Sequence, residues 1–206
     1  MMPFYISRAK SVDDLVYALH LLKKYFHPYE MVASNEFIYY AENYSKLFPG
    51  EDYFVYAIKT PMTDTVIGMF SGVKLNEFIT VDYLVIEQES RWFYKLALKE
   101  ILKVLKEFER PIIIEAETPE LVRLYKMGGF VQFENDYTYH MLGVNLQKKT
   151  STVMSHQSHL MYLSETPLDF KTTRDTLYNK HYRRWNAIYG TELTEKYNKT
   201  LDSYMI

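Results

Sequence analysis

The chain of 206 residues contains no cysteine, so it can form neither disulfide bonds nor thiolate metal sites. It also lacks any run of about 18 apolar residues, the length that a membrane-spanning helix needs. Neither sign of charge dominates, because 24 basic residues face 26 acidic ones, and this balance disfavours a nucleic-acid partner. The first residues show no signal-peptide pattern. We therefore expect a cytoplasmic protein without a membrane span.

Apolar and aromatic residues are plentiful. The chain is 48% hydrophobic and carries 20 tyrosines, which favour an amphipathic interior or interface over a purely aliphatic one. The length suits one domain of ordinary size with an appendage.

Hydrophobic periodicity predicts alternating strands and helices over the first 145 residues. Strands are predicted over 3–9, 52–59, 65–75, 78–86, 111–115, 130–134 and 137–144, with the last two forming a closing hairpin. Helices are predicted from Ser11 to Phe26, Ser34 to Phe48, Glu89 to Arg110 and Thr118 to Met127. Antiparallel hairpins interrupted by a single crossover indicate an α+β domain with a mixed sheet.

The chain changes character after Val144. We predict a domain over 1–145, a polar linker or arm over 146–169, and a helical C-terminal extension over 170–206. The extension has an aromatic stripe made of Tyr178, Tyr182, Trp185 and Tyr189, and a basic set made of Lys171, Arg174, Lys180, Arg183 and Arg184. The aromatic side is expected to pack on a sister subunit or on its own domain while the cations face water. Protein partners are expected to bind through residues 146–206.

The most informative segment is residues 118–130, Thr-Pro-Glu-Leu-Val-Arg-Leu-Tyr-Lys-Met-Gly-Gly-Phe. Thr118 is a favourable helix cap, Pro119 suits the first helical position, and Gly129 tolerates the left-handed turn that ends a helix. This segment and the element order resemble the GNAT N-acetyltransferase superfamily over residues 3–144. The resemblance implies a mostly antiparallel sheet of seven strands flanked by helices. It also implies transfer of an acyl group from acetyl-coenzyme A to an amine.

The resemblance further implies where the reacting groups lie. The pantetheine arm of the cofactor would lie where the fourth and fifth strands splay apart, bound by backbone groups near Leu84 and Val85 that also polarise the acyl carbonyl. Tyr125 matches the acid that protonates the departing thiolate, because a phenol stays protonated at neutral pH. Thr118 is grouped with the cofactor-binding residues.

The general base is not singled out by the sequence. Glu115 is the first choice, because it ends an apolar strand where burial raises the pKa of a carboxyl group. Asp82, Glu117 and His140 are alternatives, each with an ordinary structural or solvated role as the competing interpretation. The acceptor pocket could be lined by Tyr39, Tyr40, Phe54 and Tyr56, although core packing is the commoner role of such residues.

The loop expected to bind the pyrophosphate departs from the family pattern. Residues 90–95 read Ser-Arg-Trp-Phe-Tyr-Lys, without the glycines that let backbone N–H groups approach phosphates. Either Arg91 and Lys95 bind the diphosphate through their side chains, or acetyl-coenzyme A binding has been lost. In the second case the chain would be a catalytically silent assembly protein that docks through its C-terminal arm. A weak similarity of this loop to acetyltransferase-like internal virion proteins of tailed phages would then place the protein in a virion.

His156 and His159 have a spacing that occurs in metal sites. No third ligand is near them in the sequence, so we expect no metal and interpret them as part of the polar arm.

Overall fold

The structure, a computed structural model, describes residues 3–9, 11–25, 43–87, 91–135, 137–145 and 150–190. Its strands are β1 (Tyr5–Arg8), β2 (Asp52–Lys59), β3 (Val66–Lys74), β4 (Ile79–Ile86), β5 (Ile112–Ala116), β6 (Val131–Gln132), β7 (Tyr137–Asn145) and β8 (Thr150–Leu163). Its helices are α1 (Val12–Tyr25), α2 (Arg91–Lys106), α3 (Pro119–Met127) and α4 (Phe170–Tyr189), and residues 43–47 are also helical. None of the described helices is both long and apolar enough to cross a bilayer.

The strands form one mixed, mostly antiparallel sheet, as predicted. Seven strands follow one another in the order β1-β2-β3-β4-β5-β8-β6. The eighth strand, β7, is not part of this order and pairs with β8. In the described part of the chain β4 and β5 are the one parallel pair, and every other pairing is antiparallel. The predicted α+β class is therefore confirmed.

Helices cover both faces of the sheet, and each face has its own apolar core. On one face α1 and α4 pack on β2, β3, β5 and β8 through residues such as Leu21, Met69, Ile113 and Leu177. On the other face α2 and α3 pack through Phe70, Ile101, Ile114 and Tyr125, among others. Successive residues of β5 point to opposite faces, so Ile113 enters one core and Ile114 the other. Because both faces are buried, the sequence of β5 is a continuous apolar run.

Helix boundaries follow the predicted capping chemistry. The Ser11 hydroxyl accepts a hydrogen bond from the Asp14 backbone N–H at 3.1 Å, which confirms the predicted start of α1. The Asp169 carboxylate does the same for the Thr172 N–H at the start of α4. Gly190 follows the last residue of that helix and has φ of 80°, a left-handed conformation that glycine commonly supplies at a helix end. Much of the predicted helix from Ser34 to Phe48 and residues 191–206 of the predicted helical extension lie outside the described residues.

The predicted closing hairpin was wrong. Strands β6 and β7 do not pair with each other; each of them pairs antiparallel with β8 instead. The returning strand is β8, which lies within the segment 146–169 that the sequence predicts to be a polar linker. Its last residues pair with β5 from Ile112–Leu163 to Ala116–His159, so this segment belongs to the same sheet as the first 145 residues.

The polar composition of this segment explains the error. Residues 150–159 contain mainly serine, threonine, histidine and glutamine, and apolar residues become continuous only at Leu160. The pairing of β7 with β8 uses backbone groups, which leave no mark in the amino-acid sequence. Apolar periodicity therefore could not reveal the strand.

The predicted orientation of α4 was also wrong. Its most buried positions are Thr173, Leu177, Lys180 and Arg184, which recur every three or four residues along one face of the helix. Tyr182 of the predicted aromatic stripe is instead 38% exposed. The helix therefore buries Lys180 and Arg184 against the sheet, where both side chains bind polar partners on β4.

Candidate active site

The sheet opens between β4 and β5. These strands pair from Ile79–Ile112 to Val81–Ile114, and no further pairing is present among the described residues. Strand β4 nevertheless continues to Ile86, and β5 continues to Ala116. Two neighbouring strands thus stop pairing at the centre of the sheet, at the place where the resemblance puts the cofactor arm.

A β-bulge in β4 lies at the start of this gap. Gly72 pairs with Val81 while Ser71 pairs with Tyr83, so Asp82 is an extra residue on β4. Gly72 is required here, since a Cβ atom at this position would lie 1.8 Å from the Thr80 carbonyl oxygen. The bulge breaks the regular ladder of β3 and β4 at the level where β4 leaves β5.

The side chain of Asp82 faces α4 and binds two buried cations. Lys180 Nζ donates to Asp82 Oδ1 at 2.8 Å and to Thr80 Oγ1 at 3.1 Å, and Arg184 Nη1 donates to Asp82 Oδ2 at 2.8 Å. Both cationic residues are only 2% exposed. The two cations outweigh the desolvation of Asp82 and lower its pKa well below the usual range. Asp82 is therefore ionised at neutral pH but is a very weak base.

Sequence reasoning missed this cluster. Lys180 and Arg184 are one helical turn apart, and this i, i+4 spacing was the one available signal that they share a face. Their burial depends on a single carboxylate that lies far away in the sequence, which the spacing alone does not reveal.

Tyr125 lies on the opposite face of the sheet, in α3. The helix is built as predicted: the Thr118 hydroxyl accepts from the Leu121 N–H at 3.3 Å, Pro119 is the first residue, and Gly129 has φ of 94°. The chain then turns back so that the rings of Tyr125 and Phe130 pack 5.8 Å apart. Tyr125 is 3% exposed, among the apolar residues of the α2 and α3 core.

The Tyr125 hydroxyl forms a hydrogen bond with the Tyr94 hydroxyl from the first turn of α2. Burial raises the pKa of Tyr125, and the neighbouring Tyr94 and Glu117 add to the shift. Burial raises the pKa of Tyr94 as well. Both phenols are therefore protonated at neutral pH. In the sequence Tyr94 is one of the bulky residues of the loop, and nothing in the pattern around it predicts this pairing with Tyr125.

The start of α2 carries positive charge. Arg91 is its first residue, and Lys95 follows one turn later with an exposed side chain, while the first turn contains no acidic residue. Cations at a helix N-terminus are electrostatically unfavourable unless an anion binds there. Trp92 is 66% exposed and Phe93 packs on Phe4 with ring centroids 5.1 Å apart. Residues 88–90 and the side chain of Arg91 lie outside the described set, so the proposed loop chemistry remains a prediction.

Leu84 and Val85 lie on the part of β4 that has left β5. Val85 is buried in the α1 and α4 core, and Leu84 packs against the α2 and α3 core. Their role in binding the cofactor remains a prediction, as does that of Thr118, whose hydroxyl is used to cap α3.

Glu115 is the first residue of β5 beyond the last pair with β4. Ser158 Oγ of β8 donates to Glu115 Oε2 at 2.9 Å. The Glu115 carboxylate is also close enough to act electrostatically on Lys180 and Tyr178, so it lies on the α4 face of the gap. The structure thus brings Glu115 and Asp82 to one face of the opening, and places Tyr125 on the other.

The remaining predicted residues are spread more widely. Glu117 is exposed near Tyr125. Phe54 is fully buried in the α2 core, and the ring of Tyr56 stacks on Phe70 at 5.0 Å, so both serve packing. His159 Nδ1 lies 3.3 Å from Gln132 Nε2. The described part of the chain contains no group of three metal-ligating side chains.

Tyr39 and Tyr40 lie outside the described residues. So do the side chains of His140 and His156. Their predicted roles are therefore untested.

No protein-family model matches the sequence, and no curated protein matches it. The fold does match solved structures. One is a protein assigned to the GNAT acetyltransferase family from Bacteroides thetaiotaomicron, with a TM-score of 0.60 and 19% identity over 91% of this chain and 99% of that chain. A Bacillus subtilis acetyltransferase in complex with CoA has a TM-score of 0.52 and 13% identity over 79% of this chain and 99% of that one.

The ribosomal-protein-S18-alanine N-acetyltransferase from Escherichia coli is similar to the same degree. Its TM-score is 0.52, with 13% identity over 81% of this chain and 97% of that chain. Identities this low establish a shared architecture and leave the chemistry to be argued from the residues. The chain therefore has the fold of the GNAT acetyltransferases.

Proposed function

We propose that the protein is an N-acyltransferase that moves an acetyl group from acetyl-coenzyme A to an amine. The observation that carries this proposal is the end of the β4–β5 pairing at the centre of the sheet, with Tyr125 in the core on one face of the sheet and two carboxylates on the other face. A thioester bound between these strands would have the Tyr125 phenol as proton donor on one face of the sheet and the Glu115 carboxylate as base on the other face.

Tyr125 is proposed as the acid. Its raised pKa keeps the proton on the phenol until the thiolate of coenzyme A forms, when the phenol can donate it. Burial also strengthens the interaction of the hydroxyl with developing charge, because little water competes for it. The hydrogen bond with Tyr94 restricts the direction in which the hydroxyl points.

Glu115 is proposed as the base that removes a proton from the acceptor amine. It lies at the gap, is partly buried, and is oriented by Ser158. Asp82, its neighbour on β4, is unsuited to the task because two cations lower its pKa. Backbone groups near Leu84 and Val85 are proposed to hold the pantetheine arm, since this stretch of β4 has no strand partner on the β5 side among the described residues.

The cofactor diphosphate is proposed to bind at the start of α2. Arg91 and Lys95 would replace the usual glycine loop with side-chain charge, in addition to the positive end of the helix dipole.

Isothermal titration with acetyl-coenzyme A tests binding, and a thiol-reactive dye tests turnover with a panel of primary amines. We expect saturable binding that is weakened when Arg91 and Lys95 are both changed to glutamine. Lys171→Gln is a matched control, because it removes one exposed cation from α4. Absence of binding at millimolar acetyl-coenzyme A would refute the proposal.

The alternative, a silent assembly protein docking through residues 146–206, gains no support from the described residues of that segment. Strand β8 lies between β5 and β6, and α4 is fixed to β4 by buried ion pairs, so both are occupied by their own domain.

A further inference from the structure

Lys180 is a primary amine buried at the mouth of the opening in the sheet. Its Nζ lies 2.8 Å from Asp82 Oδ1 and 3.1 Å from Thr80 Oγ1. Thr80 belongs to the paired part of β4, and Asp82 is the first residue beyond it. The amine is thus located at the level where β4 and β5 part, on the face covered by α4.

The groups around this amine are arranged about the gap. Glu115 on β5 acts electrostatically on Lys180 from across the opening, and Arg184 shares Asp82 with it on the α4 side. Tyr125 packs in the core of the opposite face. An acyl thioester bound between the strands would therefore have a phenol on one flank and the Lys180 amine on the other.

We propose that Lys180 is itself an acyl acceptor, so that the protein acylates its own C-terminal helix at this position. The inference rests on the proposed function, because the acyl donor is the acetyl-coenzyme A bound in the gap. It adds a modification site outside residues 3–144, the range over which the sequence resembles the acetyltransferases.

The neutral Nζ of Lys180 forms a bond to the acyl carbon, and the carbon–sulfur bond breaks with its electron pair moving to sulfur. The Tyr125 proton passes to sulfur and gives the free thiol of coenzyme A. The ammonium form of Lys180 loses two protons in all, one restoring the Tyr125 phenol and one leaving to solvent through Glu115. The products are an acetamide at Lys180 and coenzyme A.

Two properties of the cluster favour this reaction. Burial lowers the pKa of Lys180, which increases the neutral fraction that can attack a thioester. Arg184 continues to bind Asp82 after acylation, so the carboxylate is not left buried without a counter-charge. The acetamide oxygen and N–H can still form hydrogen bonds with polar neighbours such as Thr80.

The test is site-resolved acetylation of the folded, full-length protein. The protein is incubated with acetyl-coenzyme A at neutral pH, digested, and each lysine-containing peptide is quantified by mass spectrometry. Uncatalysed acetylation follows exposure, so Lys180, at 2% exposed, should then react more slowly than Lys171 on the same helix. We expect the reverse, with Lys180 modified roughly tenfold faster or more because the groups are held together.

Two variants complete the test. Tyr125→Phe should slow acetylation at Lys180 without changing acetylation at Lys171. Lys180→Arg should reduce acetylation by one group per chain, while the arginine keeps a positive charge beside the Asp82 carboxylate. If calorimetry shows acetyl-coenzyme A binding but Lys180 stays unmodified while Lys171 reacts, the inference falls and the proposed function stands. If the cofactor does not bind, both fall.

Discussion

Lys180 donates a hydrogen bond to Asp82 at 2.8 Å across a separation of 98 residues, which attaches the C-terminal helix to the bulge at the centre of the sheet. Arg184 binds the other oxygen of the same carboxylate at the same distance. The position of β4 at the gap therefore depends on α4, a helix to which the family resemblance assigned no role.

Loss of one cation should destabilise the fold. Arg184→Met leaves Asp82 with one partner and should lower the free energy of unfolding by about 3–5 kcal/mol, the range for breaking a buried ion pair. The triple change Asp82→Leu, Lys180→Met and Arg184→Met should recover most of this loss, because no unpaired charge remains. Urea denaturation followed by circular dichroism measures both. A triple variant less stable than the single one would contradict this account.

Acid should weaken the same cluster. The folded pKa of Asp82 is lower than the value of about 3.9 in an unfolded chain, so its carboxylate stabilises the fold at higher pH and loses this contribution as the pH falls below about 4. Asp82→Asn should flatten this part of the stability–pH curve. Asp52→Asn, which removes an exposed ion pair with Arg8, should change stability by less than about 1 kcal/mol.

Replacement of the proposed acid should affect the rate and leave binding intact. Tyr125→Phe is expected to reduce kcat about 10²–10⁴-fold with little change in KM for acetyl-coenzyme A, because the phenol acts on charge that appears only in the transition state. Continuous detection of released thiol measures both parameters. Tyr56→Phe on β2 is the control, and equal losses in the two variants would argue against a role for Tyr125 as acid.

The tyrosine pair should contribute to stability through its hydrogen bond. Tyr94→Phe keeps the ring and removes the hydroxyl, which leaves the buried Tyr125 hydroxyl without this partner. We expect a loss of about 1–3 kcal/mol in the free energy of unfolding. Tyr182→Phe, at a side chain 38% exposed, should be close to neutral. An unchanged unfolding midpoint in Tyr94→Phe would show that the pair is not formed in solution.

The bulge should be sensitive to a single methyl group. Gly72→Ala places a Cβ atom 1.8 Å from the Thr80 carbonyl, so β3 and β4 must separate, and we expect a loss of more than about 3 kcal/mol. Gly50→Ala has open space around it and costs only the strain of a positive φ, about 1–2 kcal/mol. Comparison of the two melting curves separates steric crowding from backbone strain.

Local chemistry made much of this fold predictable from sequence. Ser11 and Thr118 mark helix starts because their hydroxyls bind nearby backbone N–H groups. Gly129 marks a helix end because glycine adopts the required positive φ without strain. The resemblance located the point where β4 and β5 stop pairing, and the role of Tyr125 near it stays a prediction.

Relationships between distant residues were not predictable. Strand β8 is polar over most of its length and is held by backbone bonds, so apolar periodicity missed it. The buried state of Lys180 and Arg184 depends on Asp82 facing them, and the pairing of Tyr94 with Tyr125 depends on how α2 and α3 approach each other. Each requires the tertiary arrangement, which a single sequence does not specify by pattern.

The insertion of β8 between β5 and β6 also constrains when the protein can fold. During synthesis β5 emerges long before its β8 neighbour, and the intervening chain must be produced before the sheet can close. Until β8 has been made, the nascent domain exposes an unpaired edge of β5, and contacts of such high sequence separation slow folding and invite aggregation.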